Sequence, residues 1–301
     1  MDEKIWIENS HLKVGFMPRF GGRVTDIYAL EGRSQNRNLL WWDLGSLTQK
    51  TGWLHGGMPL VFPFAGWVWD KQQKGAYRLG DEQYSMPIHG FAHSREWAVA
   101  SYKEDELSLS LTENTENLRI FPFRFMLKQN WRLNKQELVY EVEVENIASV
   151  GPDSNQSMPI SLGFHPYFSS DMFPVGITTL ESEARSFCRV SSEGKAEQEE
   201  SVAQGIDWDL GNDLHHNAIL CNFPSSGAHS ALKTKELEVI LNGLPGTPTQ
   251  CMVTWSDLKG KFFCLEPWMG KPDALNASYG IKWLDTGEKM IWSGLIRLRL
   301  L

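Results

Sequence analysis

The stretch from Phe123 to Asn146 constrains the fold more than any other part of the chain. In FRFMLKQNWRL, Phe123, Phe125 and Leu127 alternate with Arg124, Met126 and Lys128. In ELVYEVEVEN, Leu138, Tyr140, Val142 and Val144 alternate with Glu141, Glu143 and Glu145. A period of two sends alternate side chains to opposite faces, so each run reads as a strand with one buried and one wet face. Asn134-Lys135-Gln136 lies between the two runs, where a hairpin turn belongs. Further strand-like runs cover residues 237–241, 250–255, 261–265 and 290–300. In the last of these, Trp292, Ile296, Leu298 and Leu300 share one face and Arg297 and Arg299 the other. No window of about fifteen residues carries a helical period with caps at both ends. Many strands without intervening helices imply an all-β protein, a large antiparallel sandwich rather than a βαβ fold.

Residues 191–204 (SSEGKAEQEESVAQ) are polar and acidic and read as a surface loop, as do residues 148–157, rich in Pro, Gly, Ser and Asn. Strand-like sequence resumes promptly after each, and no internal repeat is visible, so residues 1–301 read as a single domain. A chain of 301 residues can bury a large core without staples. Cys188, Cys221, Cys251 and Cys264 form no C-x-x-C pair and read as reduced core thiols. The net charge of −8, with Lys and Arg scattered, gives no footprint for nucleic acid. The charged start MDEKIWIENS lacks an apolar signal region, and no apolar run reaches the roughly eighteen residues of a membrane span. A cytoplasmic protein is the expectation, with the sequons at Asn155 and Asn276 as chance matches. Thirteen Trp are unusual; most belong in a core, but the same rigid face suits the C–H face of a sugar ring.

Three segments do not read as ordinary strand: residues 87–97 (PIHGFAHSREW), 161–168 (SLGFHPYF) and 263–276 (FCLEPWMGKPDALN). His165 and Glu266 each precede a Pro, which holds them extended and removes a ladder hydrogen bond, so a strand is expected to end there with the titratable group at a sheet rim. Gly90 after His89 permits a turn that a side chain would block. Taken singly, each of these residues has an ordinary structural reading. His89-x-x-x-His93 has a spacing two metal ligands can use, but Gly90 argues against a helix there and no further cluster completes a shell, so no metal is expected. No G-x-S-x-G elbow and no phosphate-binding glycine loop is present.

Taken together, the segments resemble the aldose 1-epimerase (galactose mutarotase-like) family over most of the chain. Residues 18–24 (PRFGGRV) are similar to the family's first hairpin, and residues 56–66 (GGMPLVFPFAG) to its G-x-P-x-x-x-P-x-x-G stretch. Residues 89–97 (HGFAHSREW) are similar to its H-G-F-A-R…W motif. Residues 121–125 (FPFRF), 163–168 (GFHPYF) and 266–270 (EPWMG) complete the order. The resemblance implies the family's supersandwich fold and interconversion of sugar anomers without cofactor, on a small sugar substrate, with the oligomeric state left open. Glu266 would be the base on the anomeric hydroxyl O1, His165 the acid on the ring oxygen O5, and His89 a second histidine donating a hydrogen bond near them. Galactose mutarotases proper carry T-N-H-x-Y-F around the acid; GFHPYF resembles broader branches, some of which act on hexose 6-phosphates. Trp67 stands where many relatives carry a substrate-binding Arg, with Arg95 as a compensating candidate. His93 replaces the Arg of H-G-F-A-R. Around the family's substrate-binding Asp, His215 lies nearest, with Asp213 as the alternative; Trp268 joins the candidate substrate contacts. A sugar-binding module without turnover is the competing expectation.

Overall fold

The computed structural model describes residues 4–42, 55–149, 156–211, 217–244, 246–256 and 260–301. The amphipathic hairpin sits at the heart of one large sheet. Strands Phe123–Asn134 and Glu137–Ser149 pair antiparallel, with Leu127 opposite Val144 and Lys128 opposite Glu143. Lys135, in the left-handed region at φ 52°, makes the tight turn between them. The inward set is buried, while the outward set forms a charged ladder in which Lys289 pairs with Glu143 and Glu145. Strand Lys289–Leu300 joins the hairpin on one side, and among the described residues the sheet has nine antiparallel strands.

The second large sheet, eight-stranded among the described residues, is built from shorter pieces. Its centre is Phe262–Trp268, flanked by Cys251–Trp255 on one side. On the other side lie two short strands, Gly163–Phe164 and Tyr167–Ser169, which His165-Pro166 separates. The two sheets sandwich an aromatic core. Phe164 packs between Trp131, Tyr140 and Trp292 of the nine-stranded sheet, with ring centroids 5.2, 4.9 and 5.4 Å away. The described helices are short: Thr115–Ile120, capped by the Asn114 side chain, and Ala274–Ala277.

One expectation is corrected here. The strand does not end at Glu266-Pro267 but runs on through Trp268. The Trp268 carbonyl accepts from Gln250 on one side, whereas the Met269 N–H donates to Leu162 on the other. By alternation, Pro267 faces the side where His165-Pro166 interrupts the neighbouring strand, so its missing N–H costs no ladder bond. The interruption at His165, by contrast, falls where the Pro166 pattern places it.

Candidate active site

Strand alternation aims the two central groups. Phe164 and Leu265 point into the core, so His165 and Glu266, the next residues, point to the opposite face of the eight-stranded sheet. There they line a cavity of about 350 Å³. His165 Nε2 and Glu266 Oε2 are 3.4 Å apart, and both side chains are almost fully buried. Behind His165, the Tyr167 ring stacks face to face at 4.5 Å and 6°, which fixes the imidazole plane; such ring pairs contribute about 0.5–1.5 kcal/mol. The Tyr167 hydroxyl lies 3.3 Å from His55 Nδ1, and His55 stacks on Trp255.

His89 reaches the same cavity by a strained turn. It is a non-glycine residue at φ 61°, followed by Gly90 at φ 71°, where an added Cβ would sit 2.0 Å from the Phe62 carbonyl oxygen. Only glycine fits that approach. The His89 and Gly66 backbones clamp the turn reciprocally: the His89 N–H donates to the Gly66 carbonyl, and the Gly66 N–H donates to His89 Nδ1. A ring nitrogen that accepts carries no proton, so His89 is neutral with its proton on Nε2. Burial, with His55 nearby, holds its pKa down at about 3, and the ring stands edge-on to both His165 and Trp268.

Burial also governs the central pair. It pushes Glu266 well above the ordinary carboxylate value, partly offset by the Trp268 side chain. It pushes His165 well below the ordinary histidine value, helped by His89 and His55. A dry site disfavours separate charges on both groups, so the pair holds one proton between two atoms in near contact. Arg23 braces the surroundings. Wholly buried and held down to about 10 by desolvation, it donates to the carbonyls of Phe20, Gly56 and His93, tying together three of the segments singled out in the sequence.

A model of the aldose 1-epimerase family matches residues 3–278. The chain belongs to that family. It is 24% identical to protein LacX (chromosomal) of Lactococcus lactis subsp. lactis, over 90% of this chain and 89% of that one. Its fold matches that of the Slr1438 protein from Synechocystis sp. PCC 6803 at a TM-score of 0.82 and 23% identity, covering 100% and 97% of the two chains. It also matches a galactose mutarotase related enzyme from Lactobacillus acidophilus at a TM-score of 0.81 and 18% identity, covering 99% and 97%.

Of the residues singled out in the sequence of this family member, the structure brings His165, Glu266, His89, Trp67 and Trp268 to one cavity. Trp67 forms part of its wall, with the Lys74 ammonium 4.7 Å from the ring centroid. Arg95 is not among the cavity-lining residues; it pairs with Glu116 at 2.7 Å. His93 is buried against the Gly90 carbonyl. Asp213 and His215 lie outside the described residues. Sequence reasoning missed His55, Lys74, Asn217 and Trp255, which also line the cavity. Ser191, Ser192 and Gly194 line it too, so the acidic segment read as a plain surface loop starts as a turn at the cavity wall. His55 directly precedes Gly56-Gly57, the one sequence signal that flags it.

Proposed function

We propose that this protein interconverts the α and β anomers of an aldose by acid/base ring opening and reclosure. The observation that carries the reading is the 3.4 Å approach of His165 Nε2 to Glu266 Oε2 on the wall of an aromatic-lined cavity. O1 and O5 of a pyranose hang from the same carbon, so the acid and base that serve them must themselves be near neighbours. Glu266 as carboxylate takes the O1 proton while the C1–O5 bond breaks and imidazolium His165 protonates O5, giving the open-chain aldehyde. Rotation about C1–C2 and reclosure with the roles reversed yield the other anomer and restore both groups.

The buried pair favours its uncharged form when no sugar is present. A sugar hydroxyl donating to Glu266, with O5 accepting from His165, favours the charged form that turnover uses. His89, a neutral donor at Nε2, is assigned to steady the ring or hydroxyl oxygens. Trp67 and Trp268 offer apolar faces to the sugar C–H groups. Substrate recognition by Asp213 or His215 belongs to the same proposal. The test is exchange NMR between anomers across hexoses, pentoses and hexose 6-phosphates, with and without protein. Accelerated exchange for at least one sugar is expected. Calorimetric sugar binding with no acceleration across the panel would replace the enzyme by a binding module.

A further inference from the structure

We infer that a buried cluster adjoining this cavity, His165, Glu266 and Cys264, also binds a thiophilic divalent cation, with Zn2+ as the representative, and that occupancy switches the acid/base pair off. The Cys264 Sγ, a ring nitrogen of His165 and a carboxylate oxygen of Glu266 lie within 4.8 Å of one another, and all three residues are buried. The fold produces this cluster directly. Cys264 and Glu266 are two apart on one strand and so share a face. Tyr167 pairs opposite Cys264, which brings the adjoining His165 over the same spot.

The donor set is one imidazole nitrogen, one thiol sulfur and one carboxylate oxygen, a mixture that suits zinc. Bonds of about 2.0–2.3 Å in tetrahedral geometry put ligand atoms roughly 3.3–3.7 Å apart, and the His165–Glu266 gap of 3.4 Å already matches. Glu266 Oε2 is buried and faces His165 Nε2 at 3.4 Å, longer than a close charge-assisted hydrogen bond, which leaves room for a cation to bind the two atoms more tightly than they bind each other. With three protein ligands the fourth position stays open, as in zinc sites that accept water or a small molecule. Binding displaces the proton shared by the pair and the thiol proton of Cys264, both released to solvent. The remaining thiols form a separate group: Cys221 and Cys251 are 4.0 Å apart and cluster with Cys188 around Ile219 and Val253.

The metal arm stands on geometry alone; only the switching arm rests on the acid/base reading above. The experiment uses the full chain stripped with a chelator and titrated with Co2+, then Zn2+. A thiolate-to-cobalt charge-transfer band is expected, displaced by Zn2+, with anomer exchange slowing competitively with sugar as Zn2+ binds. Cys264→Ser, or Cys264→Ala if the serine variant fails to fold, should lose the band, weaken Zn2+ inhibition at least tenfold and keep metal-free exchange. Glu266→Gln should weaken cobalt binding at least tenfold, and Cys188→Ser should leave the band unchanged. Absence of the band in the native protein, or its persistence in Cys264→Ser, overturns the site. A Cys264-dependent band without inhibition upholds the site and overturns the switch.

Discussion

The two large sheets solve different problems. In the nine-stranded sheet, Phe123–Asn134 alternates buried with partly or fully exposed residues, and its wet face carries ordinary surface ion pairs. In the eight-stranded sheet, Phe262–Trp268 is buried at all seven positions, including Glu266. The first sheet is built on long strands with one buried face. The second is short-stranded and interrupted at His165-Pro166, and it places ionisable groups where water is scarce. Desolvation disfavours charge there, yet the same dryness strengthens every hydrogen bond to a reacting oxygen.

If that division is right, substitutions in the two sheets separate stability from turnover. His165→Asn, which keeps the shape of the site but removes the acid, should slow anomer exchange by about 10²–10⁴-fold with the circular dichroism unchanged. Val142→Ala, on the inner face of the scaffold sheet, should cost about 1–3 kcal/mol of unfolding free energy in urea and leave activity per folded molecule intact. Trp67→Ala should raise KM about tenfold with little change in kcat, the loss of one aromatic face worth about 0.5–1.5 kcal/mol. A fall in kcat instead would move Trp67 from binding into the chemistry. The smallest effect concerns pH. With metal chelated, kcat/KM should show no inflection at the ordinary histidine value of about 6.5. Burial carries His165 below that value and Glu266 above the carboxylate range, so the one-proton pair persists through neutrality. Activity is lost in acid as the pair gains a second proton, and in alkali as it loses its only one.

The same contrast explains what could be read from the sequence. The hairpin was legible residue by residue, because period-two patterning depends only on near neighbours. Pro and Gly flagged the backbone around His165, Glu266 and His89, and the family resemblance made them candidate site residues. Glu266-Pro267 misled about the strand end because the tolerance of Pro267 depends on a gap in a different strand. His55, Lys74, Asn217 and the turn at residues 191–194 left little trace, since each joins the cavity only through contacts distant in sequence. Arg95 was named as a candidate substrate contact; in the structure it pairs with Glu116 and does not line the cavity.

The central claim is that Glu266 moves a proton at the anomeric centre. Anomer exchange measured by NMR for the native protein and for Glu266→Gln, on whichever sugar of the panel responds, tests it most directly. The glutamine keeps size and shape but cannot accept the proton, so acceleration should fall by about 10²–10⁴-fold while calorimetry still detects the sugar. Exchange in Glu266→Gln as fast as in the native protein would contradict the account.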